Sequence, residues 1–146
     1  MYSKRLSMSV RRRTGVGRLY VDIEVMRELG GPSETATVLI DTRADDSIMP
    51  RPVLKRLRIK SFTRETFELA DGRVIVRDVG AAFLRLRGHI GLTRVIFGAP
   101  KDAPVLGVIA LEELGLEVDP KSGQLRKARR LLVSARRPAG VPAEPF

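Results

Sequence analysis

The chain has 146 residues, of which 43% are hydrophobic and 30% are charged, a composition typical of one folded domain. It contains no cysteine and one histidine, which excludes a disulfide framework, a cysteine nucleophile and a thiolate metal site, and argues against a zinc centre or a serine triad. The formal net charge is +10, which taken alone would indicate an anionic partner such as nucleic acid.

The positive charge is concentrated at the two ends of the chain. Residues 1–18 contain six Lys or Arg and no acid, and residues 126–146 contain six Lys or Arg and one acid, whereas residues 19–125 contain 15 basic and 16 acidic residues. We therefore predict a basic N-terminal arm over residues 1–18, a folded domain over residues 19–127 and a basic, Pro-rich tail over residues 128–146. The arms also fit solvated runs of charge, and nucleic acid is retained as a partner through them only. No run of about 18 apolar residues occurs, so we expect no membrane contact and a cytoplasmic location.

Short strands separated by Gly and Pro turns dominate the predicted elements. Apolar residues at every second position over residues 19–25 predict a half-buried strand, and residues 35–40 predict a more fully buried one. A short apolar run follows at residues 47–49. Residues 59–79 predict two strands joined at Ala70-Asp71-Gly72-Arg73, because Asp-Gly between strand-like runs is a strong hairpin signal.

One clear helix is predicted near the end of the domain, over Val108 to Leu114 with Gly115 as its stop signal. Residues 88–91 are interpreted as a turn. Further strands are predicted at residues 82–87, 93–97, 116–119 and 124–127, and residues 52–57 form at most a short helical turn. The fold class predicted from these elements is all-β, a closed barrel or sandwich with one short C-terminal helix.

The candidate catalytic residues follow the second predicted strand. In Val38-Leu39-Ile40-Asp41-Thr42-Arg43-Ala44-Asp45-Asp46, a buried strand delivers a carboxylate and a hydroxyl into a turn, where packing has no need of a charge. This segment resembles the active-site segment of the retropepsin-like aspartic proteases, in which an apolar triplet precedes Asp-Thr/Ser-Gly-Ala. The Asp71-Gly72-Arg73 hairpin follows where that family has its substrate-covering flap, and Val105-Leu106-Gly107 before the helix resembles its second motif. The resemblance covers roughly residues 19 to 127.

The resemblance implies that Asp41 is the catalytic acid and that Thr42 hydrogen-bonds across to a second copy. Two carboxylates about 3 Å apart share one proton, so that one activates a water while the other polarises the scissile carbonyl. The chain has one Asp-Thr pair and is too short for two lobes, so the second carboxylate must come from a symmetric homodimer. Ala44, Asp45, Asp46 and the hairpin residues would bind a peptide or protein substrate, although Asp45 and Asp46 fit solvated turn acids equally well. No metal or organic cofactor is expected, because water is the attacking group.

Arg43 departs from the family pattern, which has glycine at this position. Its bulk lies where the backbone approaches the substrate, and its charge favours a doubly ionised dyad over the shared proton. Two outcomes stay open: Arg43 pairs with Asp45 or Asp46 and catalysis is retained, or the site is impaired. The ranked hypotheses are an aspartic endopeptidase, a catalytically impaired dimeric module that binds peptides or a partner protein, and a nucleic-acid-associated protein that uses its basic arms.

Overall fold

The computed structural model describes residues 10–12, 18–132 and 136–142. Much of the predicted N-terminal arm and two parts of the predicted tail therefore lie outside the described residues. The described residues form ten strands: β1 (Val10–Arg12), β2 (Leu19–Met26), β3 (Ser33–Ile40), β4 (Ser47–Pro50), β5 (Thr63–Glu68), β6 (Val74–Leu86), β7 (His89–Gly98), β8 (Val105–Leu106), β9 (Leu116–Val118) and β10 (Leu125–Lys127). They also form two helices, α1 (Arg51–Arg56) and α2 (Val108–Leu114).

Eight of these strands form one sheet in the order β1-β2-β3-β8-β4-β7-β6-β5, and β2 also pairs with β6. Because β2 is bonded to both β3 and β6, the sheet folds back on itself around its buried face. The strands β9 and β10 form a separate antiparallel pair. The prediction of an all-β fold is confirmed.

The core is built mainly from the apolar residues of the alternating strands. The strand predicted over residues 19–25 is observed as β2, and its Val21, Ile23 and Val25 are almost completely buried. The helix α2 covers the same core with Leu111 and Leu114. Burial of these side chains is the main favourable contribution to folding, and it determines which face of each strand points inwards.

The strand β6 is longer than predicted, because it continues through Gly80 instead of ending there. Its first half pairs with β5 and its second half with β7 and β2. Gly80 lets the backbone lie close to the Phe97 ring, because a Cβ at position 80 would stand 3.0 Å from a ring carbon of Phe97. The turn between β6 and β7 is correspondingly short and centres on Arg87 and Gly88, both with positive φ. His89, predicted to lie in a turn, begins β7 and places Nδ1 3.1 Å from the Leu114 carbonyl oxygen.

The helix α2 has the predicted bounds and ends at Gly115, whose φ of +72° is the left-handed conformation favoured at a helix C-terminus. The prediction of a single short helix was incomplete, since α1 is also present. Pro52 lies in the first turn of α1, where its missing N–H costs no hydrogen bond. Val53 and Leu54 then anchor α1 to the core.

Described residues near both ends of the chain contact the domain. The strand β1, which lies in the predicted basic arm, pairs with the start of β2. After β10, the Ala128 N–H donates to the Gly115 carbonyl oxygen at 2.8 Å, and the Arg130 guanidinium donates to the Glu112 carbonyl oxygen. The division into arms and domain stays a prediction, as does contact with nucleic acid. Neither helix in the described ranges has the length and apolar character to cross a membrane.

Candidate functional site

The predicted catalytic carboxylate lies where β3 ends. Val38 and Ile40 are buried in the core, and the parallel pairing of β3 with β8 places Leu106 beside Ile40. The Asp41 N–H donates to the Leu106 carbonyl oxygen at 3.1 Å, and the Ala44 N–H donates to the Asp41 carbonyl oxygen at 3.1 Å. Backbone hydrogen bonds therefore hold Asp41 in place, while its side chain stays 22% exposed.

The predicted second motif, Val105-Leu106-Gly107, contacts the loop that follows Asp41. The Val108 N–H donates to the Ala44 carbonyl oxygen at 2.8 Å. A Cβ on Gly107 would stand only 2.5 Å from the Asp46 carbonyl oxygen. The φ of Gly107 is −91°, which other residues adopt, so the need for glycine here is steric. The structure thus brings the two sequence motifs together.

Ser47 also fixes this contact and was not singled out from the sequence. It is the first residue of β4 and is 1% exposed. Its Oγ accepts the Gly107 N–H at 2.9 Å, a buried hydrogen bond between residues 60 positions apart. A serine that opens an apolar strand directly after two acids was the available signal, because a buried hydroxyl needs a partner.

Arg43 pairs with Asp41, not with Asp45 or Asp46. Its Nε lies 3.1 Å from Oδ1 of Asp41, its Nη2 lies 3.2 Å from Oδ2, and its backbone N–H also donates to Oδ1, at 2.9 Å. The hydrogen bonds from the Arg43 guanidinium lower the pKa of the Asp41 carboxyl below its ordinary value, against the opposing effect of burial. The ion pair therefore favours the ionised form of the candidate catalytic carboxylate.

Asp46 contacts a different arginine, which links the loop to the predicted flap. Arg94 on β7 donates from Nε to Oδ1 of Asp46 at 3.0 Å and from Nη2 to Oε1 of Glu65 at 2.7 Å. Glu65 belongs to β5, the first strand of the hairpin. Arg94 was also missed from the sequence, although an arginine within the apolar strand at residues 93–97 signals the need for a carboxylate partner. Asp45 is exposed, and its predicted role stays a prediction.

Thr42 is exposed between two cavities. One, of about 300 Å³, is lined by Arg18, Asp41 and Arg43 among others. The other, of about 730 Å³, is lined by α2, β9 and residues 128–132. Arg18, a third residue overlooked in the sequence, adds its positive charge to the lowering of the Asp41 pKa. The hydrogen bond predicted from Thr42 to a second copy stays a prediction.

The predicted hairpin is present and its tip has the expected turn chemistry. Gly72 has a φ of +87°, and the Arg73 N–H and Nε donate to the Asp71 carboxylate at 3.0 and 2.8 Å. Val74 and Val76, on the following strand, are exposed. The hydrogen bonds of Asp71 and Arg73 lie within the turn itself, so their assignment to substrate binding stays a prediction. The part of the chain that the structure describes contains no cluster of three or more His, Asp or Glu side chains able to hold a metal ion.

Comparison with solved structures shows which known fold the chain has. The chain is similar to EIAV protease in complex with an inhibitor, with a TM-score of 0.57 and 18% sequence identity, over 84% of this chain and 100% of that protein. It is also similar to a retropepsin-like aspartic protease from Rickettsia conorii, with a TM-score of 0.50 and 14% identity, over 76% of this chain and 83% of that one. No protein-family model and no curated protein matches the chain. The chain therefore has a retropepsin-like fold.

Proposed function

We propose that this chain, with its retropepsin-like fold, is an aspartic endopeptidase that hydrolyses peptide bonds as a symmetric homodimer. The observation that carries the proposal is the position of Asp41. Its backbone is fixed by hydrogen bonds from both sequence motifs, and its carboxylate is partly exposed where β3 ends. A fixed, accessible carboxylate is what activation of a water requires, because a mobile one would lose the alignment that makes catalysis efficient.

One chain supplies one such carboxylate, so the complete site needs two copies. A twofold axis beside Asp41 would bring the two carboxylates together, and their repulsion would make them share one proton. The water between them would attack the carbonyl carbon, one carboxylate would accept a proton of the water, and the other would donate its proton to the carbonyl oxygen. The tetrahedral intermediate would then break its C–N bond, as the protonated carboxyl donates to the leaving nitrogen and the other carboxylate takes a proton from a hydroxyl of the intermediate. We assign Thr42 to contacts across the axis. We assign Ala44, Asp45, Asp46 and the hairpin tip to binding of the extended substrate.

A second candidate function is favoured by the ion pair between Arg43 and Asp41. A cation bonded to the carboxylate opposes the singly protonated dyad, which the mechanism requires. A dimer in which this pair persisted would bind a peptide or a partner protein without cleaving it. This binding module and the peptidase share the same fold and the same axis, and they differ in whether Arg43 leaves Asp41.

The first experiment is cleavage of a diverse peptide library by the purified chain from mildly acidic to neutral pH, read by mass spectrometry. We expect cleavage by the unaltered chain, none by Asp41→Asn, and retained cleavage by Asp78→Asn, a matched substitution outside the site. If a folded, dimeric protein and its Arg43→Gly variant are both inert, the peptidase proposal is wrong and the binding module remains.

A mixing experiment tests the shared dyad directly. Excess Asp41→Asn chain is added to the unaltered chain and the subunits are left to exchange. The mixed dimers that form contain one Asp41 carboxylate each. We expect activity to fall well below the value produced by dilution alone, at a rate set by subunit exchange. Unchanged activity, with exchange verified by mass spectrometry, would show that one chain carries the whole active site.

A further inference from the structure

The cavity beside Asp41 has an unusual charge balance for a carboxylate site. Among the described residues that line it, Arg18 and Arg43 are positive and Asp41 alone is negative. Asp41 is already paired with Arg43, so Arg18 leaves the cavity with an excess positive charge. Apolar residues including Leu39 and Val118 complete the wall. A small cavity with a net positive charge and some apolar residues in its wall favours an anionic ligand group on a short side chain.

Arg43 differs from the arginines that have structural roles nearby. Arg94 is half-buried between two carboxylates, and Arg77 is half-buried against Asp102. The side chain of Arg43 is 89% exposed, and it uses two of the five N–H donors of a guanidinium on the Asp41 carboxylate. The remaining donors are available to a ligand. Because solvent surrounds the guanidinium of Arg43, it can exchange Asp41 for another carboxylate at modest cost.

We propose that this cavity recognises an acidic side chain of the bound peptide, and that this side chain draws the Arg43 guanidinium away from Asp41. Arg18 provides the second positive charge of the recognition site. This inference rests on the proposed function, because it takes the ligand to be a peptide that lies across Asp41. It assigns to Arg43 the selection of substrates with Glu or Asp next to the cleaved bond.

The exchange of partners links recognition to catalytic competence. When a substrate carboxylate replaces Asp41 on the guanidinium, the number of charge-assisted hydrogen bonds made by Arg43 is conserved. Asp41 then loses the guanidinium contact, the largest of the effects that lower its pKa, although the Arg43 N–H still donates to Oδ1. The carboxyl can then share a proton more readily with its counterpart in the second copy. A substrate with Gln at the same place offers a weaker acceptor and leaves the pair intact. One with Lys is repelled by both arginines.

The test uses three peptide libraries that differ only in carrying Glu, Gln or Lys at one fixed position between randomised residues. Binding is followed by fluorescence anisotropy and cleavage by mass spectrometry, both at about 0.15 M salt so that general attraction to a basic protein is screened. The variants are Arg43→Gln and a matched control, Arg27→Gln, whose exposed arginine pairs with Glu28 at 3.0 Å, in a separate ion pair. We expect the unaltered chain and the control to prefer the Glu library by about tenfold in binding and in kcat/KM, and Arg43→Gln to lose most of that preference.

The outcomes separate this inference from the proposed function. Equal binding and cleavage of the Glu and Gln libraries would overturn the inference and leave the peptidase standing. A preference for Glu that persists in Arg43→Gln would also overturn it, by showing that the attraction is general. Cleavage by Arg43→Gln alone, with no preference in binding, would make Arg43 an inhibitor and not a recognition residue. An Arg43-dependent preference for Glu in binding, without cleavage by any variant, would support recognition of acidic peptides and refute the peptidase.

Discussion

Substituting Gly107 by alanine tests whether contact between the two motifs holds the catalytic loop. The added Cβ would stand 2.5, 2.7 and 2.8 Å from the carbonyl oxygens of Asp46, Asp45 and Ala44. All three are backbone atoms, so no side chain can rotate out of the way. A contact of 3.4 Å is ordinary van der Waals separation, and reaching it requires the Asp46 carbonyl to move by almost an ångström. The loop therefore has to shift away from α2.

The expected cost follows from that displacement. Overpacking of this kind lowers the free energy of unfolding by about 1–3 kcal/mol. In a domain of this size each kcal/mol lowers Tm by about 2–4 °C. Because Asp41 is at the start of the same loop, a shift of this size misaligns the dyad, and we expect kcat to fall by about 100-fold with a smaller change in KM.

Urea unfolding, calorimetry and peptide cleavage measure these effects. The matched control is Gly31→Ala, where the new Cβ would meet the flexible Glu28 side chain at 3.0 Å and the Glu28 carbonyl oxygen at 3.3 Å, a much smaller overlap with the backbone than at Gly107. We expect the control to keep its kcat within about twofold and to lose less than about 1 kcal/mol of its free energy of unfolding. A Gly107→Ala variant with unchanged Tm and unchanged kcat would refute the steric account of the motif. A loss of stability with unchanged kcat would show that the loop tolerates displacement.

Three further substitutions test separate contacts. Ser47→Ala leaves the Gly107 N–H at the start of α2 without its buried acceptor. We expect the free energy of unfolding in urea to fall by about 1–3 kcal/mol, and a loss below about 0.5 kcal/mol would mean that another acceptor replaces the hydroxyl. Asp102→Asn removes a carboxylate whose pKa the Arg77 guanidinium lowers, so it should destabilise the protein by about 1–3 kcal/mol at pH 7. Stabilisation by a lowered pKa is present above the ordinary Asp pKa and is lost as pH falls through the folded pKa. The difference from the unaltered chain in urea unfolding should therefore shrink as pH falls below about 4, and a difference independent of pH would contradict this. Arg43→Gly removes the guanidinium that lowers the pKa of Asp41. In a profile of kcat/KM against pH, the fall in activity on the alkaline side should therefore move to higher pH. An unchanged profile would show that the ion pair is already broken in the active dimer.

Local pattern predicted the elements that position the site. The two-residue alternation of β2, the Asp-Gly turn of the hairpin and the Gly115 stop of α2 each depend on neighbours in the chain. These signals act over a few residues, since they reflect which side chains face the core and which backbone angles are accessible. The placement of Asp41 directly after a buried strand was predictable for the same reason.

Local sequence patterns did not predict the elements whose extent depends on contacts with distant parts of the chain. The continuous β6 was predicted as two strands, one that ends at Val79 and one over residues 82–87. Pairing with β2, β5 and β7 extends the strand through Gly80. The helix α1 was likewise reduced to a turn in the prediction, because its stability comes from packing Val53 and Leu54 against a core that only the folded chain assembles.

The sequence by itself determined that a carboxylate, a hydroxyl and an arginine follow one another at the end of a buried strand. Only the tertiary structure decided which acid the arginine binds. Arg43 is a long, flexible side chain with several carboxylates nearby in sequence, and their order along the chain does not rank them. The turn after β3 directs the Arg43 N–H and guanidinium to the same Asp41 carboxylate, while Arg94, from a strand 48 residues beyond Asp46, pairs with Asp46. The partner of Asp46 therefore depends on distances that exist only after β7 packs beside the loop, whereas the partner of Arg43 depends on the geometry of the turn itself.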